Sequence, residues 1–378
     1  MIRRTVRKLS DRLLVQLVGL APAHLRDWAE AVRSEAAAIA DDGEALRFAA
    51  GAGSGLALTF IKVRLNDALG LASGRTGPRR LAALAAIAAV MIGVVHLHVA
   101  DAASSLILVN IASLGVGLAL LAGAAVWRGL PESARSIAAM IMAGLLVLTS
   151  LFGVSSDGVV RWVAAGPLLV QSSLILLPAL LMMFARKTTA AGAVALVVGA
   201  VAMAMQPDRA MAGAMVAGIA MLWLLHRNWQ VKIALAASAL GFVATMVQAD
   251  NLPPVRFTEG VFTQTWQVHP LLGFAVASAG ALLLLPAAAF GTRDRNCARQ
   301  CAVFGATWLA IILAAVIGHY PTPLVGYGGS AIIGYLLSAC MLPPTPLARQ
   351  GLDSAGKPSA RAQPDNLARL FPRRTSCA

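Results

Sequence analysis

Charge is what this chain has least of. Of its 378 residues, 31 are Lys or Arg and 17 are Asp or Glu, which is 13% charged against 58% hydrophobic. Soluble domains carry about 25% charged residues. One soluble core would have to bury many helices that are apolar all round, so a soluble globular class is set aside. Cysteine is scarce as well. Cys297, Cys301, Cys340 and Cys377 show no metal-ligand spacing. Cys297 and Cys301 fall in a loop whose charges place it on the reducing side of a membrane, so structural disulfides are not expected. No zinc-ligand spacing or aromatic-basic repeat accompanies the net charge of +14. That charge is therefore read as Lys and Arg holding loops against translocation and against anionic lipid, with no nucleic acid as partner. His96, His98 and Asp101 lack a fourth ligand, and no metal site is expected there. The apolar run Leu13–Ala21 is short and is followed by a charged helix, a poor match to a secretory signal.

What is present is a succession of apolar stretches. A bilayer span needs about 20 mostly apolar residues. Ten such stretches run over about 81–99, 104–126, 135–153, 166–185, 189–205, 210–225, 230–248, 271–290, 301–318 and 324–342. The expected fold is all-α, a polytopic membrane helix bundle of about ten transmembrane helices. Three regions follow. Residues 1–75 form a helical, amphipathic, cytoplasmic N-terminal region, 76–342 the ten-span membrane domain, and 343–378 a Pro-, Arg-, Ser- and Ala-rich disordered tail. Within the first, Ala23–Phe48 reads as one amphipathic helix, with Glu30, Glu35, Asp41, Asp42 and Glu44 set among Trp28, Val32, Ile39 and Leu46. Phe48–Val63 is short and glycine-rich, and reads as buried or interfacial. Ser73–Arg80 is a linker.

Loop charge gives the orientation. Loops after even-numbered spans hold Arg128, Arg135, Arg186, Lys187, Arg227, Lys232, Arg293, Arg295 and Arg299; those after spans three, five, seven and nine hold only Arg161, Arg209 and Arg256. Nine basic residues against three put both termini in the cytoplasm.

The outward segments carry the remaining polar chemistry. They are Asp157–Ser173 (DGVVRWVAAGPLLVQSS), Gln206–Arg209 (QPDR), Asn251–Phe262 (NLPPVRFTEGVF) and His319–Ser330 (HYPTPLVGYGGS). A carboxylate in such a segment can take a proton from a hydroxyl within hydrogen-bond reach, and a cation or a metal can answer a developing negative charge. Glu259 lies three residues from Arg256, so the two can share a small pocket. Gly326, Gly328 and Gly329 allow a tight non-helical turn at membrane depth, tolerated only where it is buried or lines a cavity. Each residue also has a plainer reading. Arg161 can be an interfacial anchor beside Trp162. Asp208 can cap span six. Gln171 and Ser173 can hydrogen-bond neighbouring helices, and Tyr327–Ser330 can be architecture.

In the order G-x-x-R-W-x-x-x-G-P-x-x-x-Q-x-S, then Q-P-D, then P-x-x-x-x-Y-G-G-S, these segments resemble the SEDS family of shape, elongation, division and sporulation proteins. The resemblance covers about residues 80–342. It implies an inner-membrane, multi-pass peptidoglycan glycosyltransferase that polymerises lipid II on the outer face, in cell division or cell shape, usually with a class B penicillin-binding protein. It places Glu259 on the catalytic Asp of the family. Arg161, Trp162, Gln171, Ser173, Asp208, Arg256, Tyr327 and Ser330 are the implied substrate-binding positions. The cofactor stays open, a divalent cation being one candidate. The sequence departs from the pattern in four places: Glu259 for Asp, the short link Gln248–Glu259 in place of a long glycine-rich segment, Leu174 for Glu, and Gln267 and Val268 for paired acids. Two further readings stay open. One is a catalytically degenerate homologue that binds lipid-linked precursors or scaffolds cell-wall enzymes. The other is a flippase of lipid-linked precursors.

Overall fold

The structure is a computed structural model, described at residues 11, 14–16, 18–19, 21, 25–69, 77–123, 129–156, 158–248, 254–288, 295–318 and 320–343. The expected tail from residue 344 onward, and residues 73–76 of the expected 73–80 linker, lie outside these residues.

Each apolar stretch between polar turns folds as a helix, since in lipid a helix satisfies its own backbone groups. Two N-terminal helices, α1 (Arg26–Ala38) and α2 (Asp42–Leu69), precede the bundle. The bundle comprises α3 (Pro78–Val99), α4 (Ser104–Ala122), α5 (Glu132–Phe152), α6 (Ser172–Arg186), α7 (Ala190–Met205), α8 (Arg209–Leu225) and α9 (Trp229–Met246). A short α10 (Val261–Val268) leads into α11 (Pro270–Leu282) and α12 (Leu285–Ala288), followed by α13 (Arg295–Ile317) and α14 (Gly329–Cys340). Five helices, α3, α4, α5, α9 and α13, are long and apolar enough to cross a membrane, and five shorter apolar helices complete the expected ten. The chain is a multi-pass membrane protein.

Two expectations are corrected. Ala23–Phe48 is not one helix: Asp41 Oδ2 accepts a hydrogen bond from the Glu44 amide at 2.8 Å and starts a new helix. Phe48–Val63 is the middle of the 28-residue α2, which packs against α4. Span four begins at Ser172, not 166. The residues before it form a three-stranded antiparallel sheet, β1 (Val154–Ser156), β2 (Val159–Ala165) and β3 (Leu168–Gln171). Its two turns use Gly158 (φ +80°) and Gly166 (φ +60°), conformations that glycine adopts without a Cβ penalty.

Two short bundle helices sit at its centre. Helix α6 touches α5, α7, α8, α13 and α14, and α14 touches α3, α4 and α6. At 15 and 12 residues they measure about 22 and 18 Å, against about 30 Å of hydrocarbon. Non-helical backbone at their N-termini makes up the difference. Their crossing explains two residues. Pro178 has no N–H, so the Leu174 carbonyl one turn earlier loses its helical donor. Gly334 of α14 fills that gap: a Cβ there would stand 1.9 Å from the Leu174 oxygen. Nearby, Trp308 donates to Ser338 Oγ (3.1 Å) and the Tyr335 hydroxyl donates to the Leu283 carbonyl (2.9 Å), so these buried aromatics bring their polar atoms satisfied into the core.

Gly334→Ala therefore forces α6 and α14 apart. It is expected to lower stability by about 1–3 kcal/mol, read as a fall in unfolding temperature in detergent. Gly144→Ala, where nothing lies within 4 Å of the new methyl, is expected to leave that temperature unchanged.

Candidate functional site

The N-termini of α4, α6, α8, α11 and α14 lie at one end of the bundle. That end also carries the sheet, the Gln206–Asp208 turn, the 255–260 turn and the 320–328 segment. Side-chain and backbone hydrogen bonds connect these pieces.

Asp208 is the hub. It is fully buried and is the N-cap of α8, its Oδ1 accepting from the Met211 amide at 3.1 Å. Its Oδ2 accepts from Ser173 Oγ at 2.9 Å and from Gln171 Nε2 at 3.0 Å. A buried carboxylate is costly unless donors surround it. Here three donors and the positive ends of two helices, α6 and α8, do so. The Gln171 amide in turn donates to Ser330 Oγ at 3.0 Å, joining the start of α6 to the start of α14.

Beyond Ser330 the 320–328 segment has no regular structure, and neighbours meet its backbone groups. Asn110, fully buried on α4, donates to the Gly326 carbonyl (3.0 Å) and accepts from the Gly328 amide (3.1 Å). Gly328 adopts φ +152°, open to glycine alone. On the other side lies the turn that bears Glu259. The Thr322 amide donates to the Thr258 carbonyl (2.7 Å), the Tyr327 amide donates to the Phe257 carbonyl (2.6 Å), and Glu259 forms an antiparallel bridge with Pro321. Gly326 permits this approach, since a Cβ would lie 2.8 Å from the Thr258 oxygen. Phe257 (φ +66°) and Leu324 (φ +62°) sit in the left-handed region. Such strain persists only where surroundings over-determine the backbone, and it clusters at functional sites.

Glu259 itself is half-buried, its Oε2 accepting from the Val255 amide at 3.3 Å. Arg256 is exposed on the same turn, its guanidinium 4.5 Å from the Phe257 ring centre. Trp162 and Tyr327 are half-buried; Trp162 pairs with Gln171 across β2 and β3.

The other two cations differ from expectation. Arg161 is buried and donates through Nε to the Gln206 carbonyl (3.1 Å) and through Nη2 to the Pro207 carbonyl. Arg209 donates through Nε to the Thr245 carbonyl (3.0 Å) and through Nη2 to the Gln248 carbonyl. Each sits at the C-terminal end of a helix, α7 or α9, and satisfies orphan carbonyls against a negative helix end. They organise the backbone around Asp208, and Arg256 is the exposed cation of the three. Asn110 and Gln206 were not among the expected site residues. Gln206 Nε2 bonds the Leu146 carbonyl (2.9 Å) and Ser150 Oγ (3.1 Å). For Asn110 a signal existed: it is an amide within an apolar span, and such a group finds a partner.

Asp208 and Glu259 should therefore fail differently. Asp208→Ala removes a cap worth about 1 kcal/mol and orphans buried donors at about 1–3 kcal/mol each, so unfolding temperature and yield should drop. Glu259→Gln should leave stability within about 0.5 kcal/mol of the parent. Thermal unfolding of both purified variants checks the contrast.

No protein-family model matches the chain, and no curated protein sequence matches it. Solved structures do. The chain is similar to the rod shape determining protein RodA of Thermus thermophilus, at 21% identity and a TM-score of 0.47, over 69% of this chain and 94% of that one. It is similar in the same measure to a mutant of that protein, at 21% identity and a TM-score of 0.46 over the same shares. A chain from a peptidoglycan synthase complex that coordinates polymerization and crosslinking is 18% identical, with a TM-score of 0.43, over 68% of this chain and 95% of that one.

Proposed function

We propose that the chain is a SEDS-type glycosyltransferase of the bacterial inner membrane. In this reading it polymerises lipid II, an undecaprenyl-pyrophosphate-linked sugar, at the outer face, with Glu259 as general base. Both termini face the cytoplasm. The observation that carries the reading is the docking of the Glu259 turn on the 320–328 segment, and through Ser330 and Gln171 on Asp208. Four segments far apart in sequence, each bearing part of the family pattern, become one site at one end of the bundle.

The chemistry follows from what is placed there. The Glu259 carboxylate takes the proton of the acceptor hydroxyl. That oxygen attacks the anomeric carbon of the donor, the bond from that carbon to the pyrophosphate oxygen breaks, and lipid pyrophosphate leaves with the bonding electrons. The N-termini of α6, α8 and α14 point their positive ends toward this region, and Arg256 adds an exposed cation. Arg161 acts at one remove, by holding the 206–208 turn. Trp162 and Tyr327, half-buried at the same end, offer faces for a sugar or lipid. A divalent cation does not fit at Asp208, whose oxygens already accept three hydrogen bonds, and no step is routed through one. A class B penicillin-binding protein is the proposed partner, supplying the cross-linking reaction that the glycan product requires.

A second reading has its own support in the commitment of Arg161 and Arg209 to backbone carbonyls: a homologue that binds the precursor without polymerising it. One assay separates the two. With purified protein and lipid II, Glu259→Ala and Glu259→Gln are each expected to cut the polymerisation rate by about 10²–10⁴-fold. Full rate in both variants overturns the assignment of Glu259. Binding of lipid II by the parent protein without product, with a penicillin-binding protein present, favours the non-catalytic reading.

A further inference from the structure

The opposite end of the bundle holds a feature that sugar transfer does not use. Between the start of α5, the end of α6, the start of α7 and the last residues after α14 lies a cavity of ≈ 290 Å³. That is near the lower limit of ligand pockets, about 300–1,000 Å³. Its walls have two characters. Leu180, Met183 and Phe184 line the side toward the bundle core, while Arg135, Arg186 and Lys187 stand at the rim with Glu132.

The charges do not balance. Glu132 is already paired with Lys187. Arg135 lies near enough to Arg186 for the two guanidinium groups to repel. A third cation, Arg299, is drawn to the same spot by donating to the Arg186 carbonyl at 3.0 Å. Arg135 and Arg186 are both half-buried, and among the described residues neither side chain has an acceptor. Like charges gathered in partly desolvated surroundings are unfavourable unless an anion answers them. An apolar wall beneath two open guanidinium groups matches a ligand with an anionic head and a hydrocarbon body. At the end of a membrane helix bundle, that ligand is a lipid of the adjoining leaflet.

We infer that this cavity binds the phosphate headgroup of an anionic glycerophospholipid, with Arg135 and Arg186 on the phosphate and the first acyl carbons against Leu180, Met183 and Phe184. Lys187, held by Glu132, flanks the entrance. The site lies across the bundle from Glu259 and is independent of the sugar-transfer reading. Bound lipid ties α5, α6 and α7 together at an end where Glu132 and Lys187 already form an ion pair.

The test uses the full chain in phosphatidylcholine nanodiscs, with binding read from unfolding temperature and native mass spectrometry as phosphatidylglycerol is added. Phosphatidylglycerol is expected to bind and raise the unfolding temperature, whereas extra phosphatidylcholine or inorganic phosphate does neither. Arg135→Gln with Arg186→Gln should weaken phosphatidylglycerol binding about tenfold or more. Arg227→Gln with Lys232→Gln, which removes the same charge from the same end outside the cavity, should bind like the parent. If the first pair does not fold, Ser136→Trp decides, since it fills the cavity, leaves every charge in place and should abolish binding. The inference is overturned if phosphatidylcholine or inorganic phosphate acts as phosphatidylglycerol does. It is equally overturned if the Arg227/Lys232 pair loses binding, or if the cavity variants keep it. Glu259→Gln should bind phosphatidylglycerol normally, so failure here and failure of the Glu259 assignment are separate results.

Discussion

The Asp208 carboxylate is the interaction on which the candidate site depends. One group caps α8, receives Ser173 and Gln171 from the start of α6, and through Gln171 fixes Ser330 at the start of α14. Without it, the Met211 amide of α8 and the Ser173 and Gln171 side-chain donors at the start of α6 would lose this acceptor in a low-dielectric interior. Arg161 and Arg209 complete the arrangement from the other direction by satisfying the carbonyl ends of α7 and α9. Cations are spent on helix C-termini and one buried anion on helix N-termini, which leaves Arg256 as the exposed cation on the Glu259 turn.

The second constraint is geometric. A bundle whose two central helices are too short to span must place irregular backbone at membrane depth, and every amide and carbonyl there needs a partner. The sheet supplies partners before α6. Asn110 and the 257–259 backbone supply them before α14. The same shortness demands close helix crossing, which Gly334 provides over the Leu174 carbonyl that Pro178 leaves without a donor. Architecture and site are thus one problem: the segments that cannot be helical are the ones that carry Glu259 and Tyr327 and lead into Ser330 at the start of α14.

Much of this was legible in the sequence. Ten apolar stretches match ten helices because lipid permits little else, and periodicity matters less than length. The four polar segments were identifiable because polar residues are so rare here that each group stands out. What was missed has physical reasons. The three-stranded sheet was hidden by apolar residues, 166–171, that continue smoothly into α6. The Asp157-Gly158 and Gly166-Pro167 pairs flanking the β-branched and aromatic run Val159–Val163 were the available hairpin signal. The roles of Arg161 and Arg209 could not be read at all, since which carbonyl a guanidinium reaches depends on packing between helices distant in sequence. Asp208 meets its plainer reading as the cap of α8, and it is also the centre of a hydrogen-bond network that its position in the sequence did not announce.

The central claim is that the Glu259 turn is held against Pro321 and faces the outside of the membrane. Opposed residues of an antiparallel bridge have Cα atoms about 4.5–5.5 Å apart, within the span of a disulfide. Glu259→Cys with Pro321→Cys, in a chain otherwise free of cysteine and expressed in intact cells, provides the measurement: cross-linking by a membrane-impermeant oxidant, read by mass spectrometry. The account requires the 259–321 disulfide to form readily from outside. Absence of the cross-link, or its formation only after the membrane is permeabilised, would contradict the placement on which everything assigned to Glu259 rests.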